Sequence, residues 1–580
     1  MNYTREHHYG FLEEELKAQT EAFRQKLETS AQFLLLEKEE LFVAQFLKFH
    51  EGEMILKFSN NRGLPRQGEY LYCIAVPKEL RNYKNWEGKT YGDLIKAKTN
   101  YSEIVCIWQA PAKEKDFWLA GFRGVDFEFS SFIEDAPGVI LILGPNKPPF
   151  EYILNLQKIV ASKHHESVNR VLDQDFLFKD SVPYPLDVNK SIVEFVINQL
   201  KLEDTLIIQG PPGTGKTHLI AELCNVLCLQ KKTVLVTALT NRALIEVADK
   251  PALKELLKKK QIFKTKLSVD EARGLKGLQQ AKELSPQPGK LFLSTFYFSS
   301  GHAANNINDS QFDYVIVDEA SQALLGMLAA SKNLAKKVLW IGDIQQLPPV
   351  VLISEDKITK KGYGIYVEGL NAISSSIIVP NFQLTKTYRL TSRAGSYTTL
   401  FYKNNLISNI NINSKFTYSG LSNEYLKLFN PKGGPTLLKT TLPSGELKPR
   451  NALNLVLDLV IQLISLDEKI HISVLTYFVK TARALQKTIY PVVGYNKNLL
   501  VETVSRVQGL TTDVTIFVIP NTMYHRSLDP KLFNVATSRS KRHTLIISDS
   551  TILDQTINSN VELFLNQLND EDSFEKRTFF

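Results

Sequence analysis

Cysteine is scarce in this chain. Four occur among 580 residues (Cys73, Cys106, Cys224 and Cys228), too few for a disulfide framework. Cys224 and Cys228 lie four apart in an apolar helical pattern and read as small core residues, since no further Cys or His pair completes a zinc site. No Cys/His cluster suits an iron–sulfur centre either. The pairs His7, His8 and His164, His165 lack partners at ligand spacing and read as solvated. Long hydrophobic runs are also missing: Val139 to Leu143 is typical, far below the ~20 residues of a membrane-spanning helix. The N-terminus, MNYTREHHYGFLEEEL, lacks the basic-then-apolar order of a signal peptide. A cytoplasmic protein with no membrane contact is the expectation. Excess charge is small: 69 Lys and Arg against 61 Asp and Glu give a net +8.

What is present is ordinary globular material, 43% apolar and 22% charged, enough for three or four domains at roughly 150 residues each. Residues 1–40 read as one long stalk helix, with Leu12, Leu16, Phe23, Leu27 and Leu34 forming a narrow apolar seam that wants a partner. Residues 150–185 offer a returning helix and linker, in which Ile153, Leu156, Ile159 and Val160 repeat helically. Between them, residues 41–149 hold short β-like runs broken by Gly and Pro, the texture of a small barrel. From about residue 186, strands and helices alternate, and two parallel α/β sheets are expected. The first takes residues 186–249 and 291–382, and the second 383–580. Residues 250–290 interrupt the first as a short basic insert, with eleven basic residues against four acidic ones. Such concentration favours an element that faces an anion.

Gly210-Pro211-Pro212-Gly213-Thr214-Gly215-Lys216-Thr217 fits the P-loop pattern G-x-x-x-x-G-K-[ST], between an apolar strand and a helical pattern. Its glycines let backbone N–H groups turn inward onto phosphate oxygens, beside the positive end of the next helix. Lys216 is then placed for the β- and γ-phosphates, and the Thr217 hydroxyl for Mg²⁺. About one hundred residues later an apolar strand ends in Asp318 and Glu319. Asp318 suits the metal; Glu319 suits the attacking water, which it would orient and deprotonate.

Gly342-Asp343-Ile344-Gln345-Gln346-Leu347-Pro348-Pro349 follows a buried strand and closely resembles the Gly-Asp-x-x-Gln-Leu-Pro-Pro motif of superfamily 1 helicases. Within that superfamily the chain resembles the branch of the nonsense-mediated-decay RNA helicase, the immunoglobulin-mu-binding helicase and their bacterial relatives. Thr237 to Asn241, Ser294-Thr295, Thr387-Tyr388-Arg389, Val501 to Val504 with Gln508-Gly509, and Asn534 to Lys541 resemble further motifs of that family, in order. The resemblance covers about residues 186–550. It implies an α/β fold of two tandem RecA-like domains, with the stalk, barrel and insert attached to the first. ATP and Mg²⁺ are the implied cofactors and single-stranded DNA or RNA the implied partner, tracked 5′ to 3′; a protein partner stays open.

By the same resemblance, Gln346 senses the γ-phosphate, Arg389 and Arg539 act as arginine fingers, Tyr388 stacks on adenine, and Gly509 belongs to the nucleotide site. Thr240, Asn241, Thr295, Thr476 and Thr503 contact the nucleic acid through phosphates, a grip that reads no sequence. A stretch from Arg62 to Lys98 interleaves basic and aromatic residues and reads equally as a second nucleic-acid track or as a solvated loop. The chain departs from the family at the nucleotide-selecting edge. Lys190 stands where a Gln reads adenine, and Thr511 where a Glu is usual. A Lys offers donors only and cannot make an amide's paired contacts, so a loosened base preference is predicted. Leu390-Thr391 replaces Met-His, and Tyr477 replaces a Pro after Thr476. Two competing functions use the same motifs: an ATPase that remodels nucleoprotein without unwinding, and a binding subunit with vestigial nucleotide chemistry.

Overall fold

The computed structural model describes residues 4–60, 62–173, 182–186, 191–376, 379–410, 418, 420–507, 509–555 and 558–576. Asp187, Lys190 and Gln508 lie outside them.

The helix Arg5–Glu28 is capped at Thr4, whose Oγ1 accepts the His7 N–H at 3.2 Å. The first part of its seam packs on the helix Phe150–Ala161: Phe11 and Leu12 share one core with Tyr152, Ile153, Leu156 and Ile159, and the Phe23 and Phe150 rings meet edge-on at 6.1 Å. Residues 1–40 are not one helix: Leu34 falls in a second, short helix, Ala31–Leu36, and packs with Leu27 against Trp86, Tyr91 and Leu94. The long helix also docks on the first α/β domain. Glu15 is buried and accepts the N–H groups of Leu352 and Ile353 at 2.9 and 3.1 Å. That docking corrects the reading of two histidines as solvated. His8 is buried and stacked on Tyr366 at 4.4 Å, and His164 is buried with Nε2 2.7 Å from the Ile159 carbonyl. Desolvation pushes the His8 imidazole down to about 3, so it stays neutral.

Six antiparallel strands close a barrel: β1 (Phe42–His50), β2 (Glu53–Ser59), β3 (Tyr70–Ala75), β4 (Asn100–Pro111), β5 (Phe117–Arg123) and β6 (Ile140–Pro145), in the order β1-β2-β5-β4-β3-β6. Alternation along β3 sends Leu71, Cys73 and Ala75 inward to Phe46, Met54, Phe58 and Phe122. The segment Arg62 to Lys98 is largely consumed by this architecture. Trp86 and Tyr91 are fully buried, Arg66 is 8% exposed, and Arg62 lies over the Tyr83 ring at 3.9 Å.

The first α/β sheet contains β7 (Tyr184–Pro185), β8 (Thr205–Gln209), β9 (Val234–Ala238), β10 (Ile262–Thr265), β11 (Gln279–Ala281), β12 (Leu291–Thr295), β13 (Phe312–Val317), β14 (Ala335–Gly342) and β15 (Asn381–Gln383). All its pairings are parallel, in the order β11-β10-β12-β9-β13-β14-β8-β15-β7. Residues 250–290 therefore do not interrupt the sheet: β10 pairs directly with β12 and β11 extends the edge. The physical reason is that Ile262 and Leu256 join the sheet's core while Lys254, Lys258, Lys259 and Lys260 stay exposed. A short parallel pair, β16 (Lys386–Thr391) and β17 (Ile407–Ile410), leads into the second sheet. That sheet runs β20-β19-β21-β22-β18-β23, all parallel, from β18 (Gly434–Thr440), β19 (Ile472–Thr476), β20 (Leu499–Thr503), β21 (Thr512–Val518), β22 (Ser540–Ser548) and β23 (Ser573–Lys576). Two tandem RecA-like domains thus face each other. The barrel touches both: Gly124 N–H donates to Asp270 Oδ1 at 2.9 Å, and Tyr490 OH to Gln67 Oε1 at 2.6 Å. No helix among the described residues is long and apolar enough to cross a membrane.

Candidate active site between the two RecA-like domains

Nucleotide chemistry in a parallel sheet is expected at the carboxyl ends of its strands. Here the loop Gly210 to Gly215 leaves β8 and enters the helix Lys216–Leu229. Gly213 and Gly215 hold φ of +74° and +84°, a left-handed backbone that other residues adopt at a cost. Gly213 is also where the second domain makes contact. A Cβ there would lie 2.3 Å from the Arg389 Cβ, so only glycine fits. Around it, Thr387 Oγ1 donates to the Pro212 carbonyl at 2.8 Å and the Tyr388 N–H to the Gly213 carbonyl at 2.8 Å. Thr214 Oγ1 closes the loop on the Pro211 carbonyl at 2.9 Å. Lys216 Nζ donates to the Gly210 carbonyl and, at 3.4 Å, to that of Pro211.

The acid pair stands at the end of β13, next but one to β8 across β14. Asp318 is buried, and its Oδ1 accepts the Glu319 N–H at 2.9 Å. Glu319 holds φ +51°, a strained conformation that turns it away from the strand direction. Burial pushes the Asp318 carboxyl up to about 6. Burial together with the Asp318 charge pushes the Glu319 carboxyl up to about 7. Asp343, after β14, is raised for the same first reason, and it receives Gln346 Nε2 at 2.7 Å.

The second domain contributes the opposite sign. Arg539 is 2% exposed; its Nε donates to the Val535 carbonyl at 2.9 Å and its Nη2 to Gln346 Oε1 at 3.1 Å. Arg389, partly buried, donates Nη1 to the Ser538 carbonyl at 3.3 Å. Among the described residues neither guanidinium has an ion-pair partner. Burial lowers Arg389 to about 9 and Arg539 to about 10, with Arg539 adding to the effect on Arg389. Gly509 lies across from the acids, where a Cβ would stand 3.6 Å from Glu319 Oε1.

All these groups open on one cleft of about 800 Å³, which Thr217, Tyr388, Gly509, Arg389 and Arg539 line together with Lys216, Asp318, Glu319 and Gln346. The volume suits a nucleotide-sized ligand. A hydroxyl from Thr217 and a carboxylate from Asp318 are the hard oxygen donors Mg²⁺ takes. Tyr388 is 58% exposed, which leaves its ring available for stacking. Glu222, Arg242, Glu246, Thr511 and Lys541 also line the cleft, and the sequence pattern did not single out the first three or Lys541 as site residues. Glu222, Arg242 and Glu246 have only proximity to the motifs as a sequence signal, whereas Lys541 is the last residue of the Asn534 to Lys541 motif.

The hydroxyl residues assigned to nucleic acid sit at strand ends. Thr295 is level with Ala238 on adjacent strands, and Thr476 pairs with Thr503. Thr240 caps the helix Asn241–Ala248, accepting the Ala243 N–H at 3.2 Å, and lines the nucleotide cleft; Asn241 is exposed. Thr476 and Thr503 are buried, and Thr476 Oγ1 has no hydrogen-bond partner among the described residues.

Two protein-family models, each described as an AAA domain, match residues 194–352 and 371–551. The chain is similar to the DNA replication ATP-dependent helicase/nuclease DNA2 of Saccharomyces cerevisiae, 29% identical over 178 residues (29% of this chain, 12% of that protein). It is similar to human DNA2 at 29% identity over 226 residues (37% and 20%), and to the DNA polymerase alpha-associated DNA helicase A of Schizosaccharomyces pombe at 26% over 214 (28% and 32%). The matched segments are thus a minor part of those relatives. Among solved structures, the arterivirus nonstructural protein 10 helicase aligns at 12% identity and a TM-score of 0.36, over 87% of this chain and 76% of that one. The ordered motifs on two RecA-like sheets, the two AAA-domain matches and the helicase relatives together support a superfamily 1 helicase.

Proposed function

We propose that this chain hydrolyses ATP with Mg²⁺ in the interdomain cleft and uses the resulting domain motion to move 5′ to 3′ along single-stranded nucleic acid and to part a duplex. One observation carries the reading: an acidic half (Asp318, Glu319) and a basic half (Arg389, Arg539) come from different domains and face the same cleft as the P-loop. Lys216 offsets the acid pair only in part and neither arginine has an ion-pair partner among the described residues, so an anion bound between the halves favours closure.

The residues divide the work. The P-loop N–H groups and Lys216 bind the β- and γ-phosphates, Lys216 exchanging its carbonyl partners for phosphate oxygens. Thr217 and Asp318 would hold Mg²⁺, which would supply charge neutralisation at the same phosphates. Glu319, with its carboxyl raised by burial, is poised near neutrality to take a proton from the attacking water. Arg389 and Arg539 stabilise charge that develops on the γ-phosphoryl oxygens, and Gln346 reads those oxygens from the first domain. Release of phosphate weakens the attraction between halves, and reopening follows. Thr240, Asn241, Thr295, Thr476 and Thr503 grip the strand; the two buried ones require a shift at the second sheet's edge. The matched relatives are named for DNA, so DNA is the first polymer to test. Four free buried cysteines agree with a reducing compartment, the cytoplasm in our reading.

The test is phosphate release by wild type and Glu319→Gln, with and without single-stranded DNA or RNA, at two salt concentrations, followed by displacement of a labelled strand. Stimulation by a polymer, lost in the variant and weakened by salt, supports the motor. Hydrolysis with no strand displacement would instead favour a remodelling ATPase, and no hydrolysis at all would sink the reading.

A further inference from the structure

Beneath the cleft, hydrogen bonds run from one RecA-like domain into the other through a residue outside every motif. Asp343 Oδ2 accepts two donors: Gln346 Nε2 at 2.7 Å and the hydroxyl of Tyr402 at 2.7 Å. Tyr402 belongs to the second domain, at the end of the short 3₁₀ helix Thr399–Tyr402, and is 6% exposed. Its oxygen accepts Asn534 Nδ2 at 2.8 Å, and that same nitrogen donates to the Gln345 carbonyl at 2.8 Å. Gln346 Oε1 accepts Arg539 Nη2 at 3.1 Å. Three of these bonds cross the domain boundary: Tyr402 to Asp343, Asn534 to Gln345, and Arg539 to Gln346.

The donor and acceptor pattern fixes the orientation of each member. Gln346 must turn its oxygen toward Arg539 and its nitrogen toward Asp343, because a flipped amide would set donor against donor. Asp343 holds that nitrogen only while its own carboxylate is oriented, and Tyr402 is the side chain from the opposite domain that orients it. Burial raises the Tyr402 phenol far above its usual range, so it remains a donor throughout neutral pH. Buried networks of this kind are stiff, since a member that rotates leaves an unpaired polar group in a medium of low dielectric.

We propose that Tyr402 is a positioning residue that ties Gln346 of the first domain to Arg539 of the second, so that contact at the γ-phosphate and closure of the domains occur together. It rests on the reading of the cleft as an ATP-hydrolysing site. Tyr402 touches no reacting atom and acts through Asp343 and Asn534.

The test is Tyr402→Phe, which keeps the ring and removes the bridging oxygen. Expected are a kcat for DNA-stimulated ATP hydrolysis about tenfold lower, a KM for ATP within about twofold, and a Tm within a few degrees of wild type. Asn534→Ala should act similarly, and the double variant should be no worse than the worse single one, the mark of a shared relay. Hydrogen exchange on the nucleotide-free protein gives a readout independent of turnover: Tyr402→Phe should speed exchange in both 343–347 and 530–539. Wild-type kcat in the variant, unchanged exchange, or a joint additive fall of kcat, KM and Tm would each overturn the proposal. A wild type that hydrolyses nothing, with exchange altered as expected, would sink the hydrolysis reading and leave the relay standing.

Discussion

The two RecA-like domains share a parallel-sheet design and carry opposite charges into the cleft between them. The first brings carboxylates: Asp318, Glu319 and Asp343 are all raised above their usual range by burial. The second brings guanidinium groups, Arg389 and Arg539, both lowered for the same reason. Each domain therefore holds charged forms that its own burial disfavours, which is the pattern of a site and not of a structural ion pair. Similar architecture with unlike cleft-facing residues places the difference in the side chains that line the cleft, not in the sheets.

The comparison breaks most severely if the basic half is removed. Arg539→Ala should lower kcat by about 10³–10⁵-fold while nucleotide Kd changes only a few-fold, as equilibrium binding of a fluorescent ATP analogue would measure. If nucleotide binding collapses instead, Arg539 is a binding residue and the division between halves fails. Removing the acidic half is the next largest effect. Glu319→Gln should cost about 10²–10⁴-fold in phosphate release, again with binding kept.

The same substitution sharpens the comparison through stability. Because the folded carboxyl of Glu319 is raised from 4.5 to about 7, the folded state binds the proton more tightly than the unfolded one. Its contribution is intact below about pH 4.5 and is lost as pH rises toward 7. Glu319→Gln should accordingly melt higher than wild type at pH 8, by the equivalent of ~1–3 kcal/mol, with the gap closing near pH 4.5. Thermal melts over that range check the sign; a gap that widens on acidification contradicts it. The smallest effect concerns base selection. With Thr511 lining the cleft in place of an acid, and Lys190 nearby in sequence, ATP and GTP should turn over within about tenfold of each other. A preference above ~100-fold for ATP, about 2.7 kcal/mol, would restore strict adenine recognition.

Much of this site is legible in the sequence because its elements are local. A P-loop needs glycines at fixed spacing between one strand and one helix, and Asp318 and Glu319 are neighbours at one strand end, so eight residues in the first case and two in the second carry the signal. The hydroxyl residues are less legible. A Thr at a strand end reads the same whether it faces solvent, as a grip on phosphate requires, or is buried like Thr476. Histidines misled for a related reason: His8 looks like any polar residue on a stalk until Tyr366, 358 positions away, stacks on it. The basic segment 250–290 misled in another way, since its exposed lysines mask the apolar residues that carry β10 into the sheet.

The P-loop, the acid pair, the order of motifs and the alternation that makes two α/β sheets are written in the chain, for all of these depend on spacing within short segments. Packing between distant segments makes the basic segment extend the first sheet, pins the stalk helix through the buried Glu15, and brings Arg389 and Arg539 to the P-loop's cleft with no ion-pair partner among the described residues. The same holds for Tyr402, whose bonds span 59 residues to Asp343 and 132 to Asn534. Hydrogen bonds over such separations have no periodicity to read; they exist because two domains, each folded on its own local pattern, present complementary donors and acceptors where they meet.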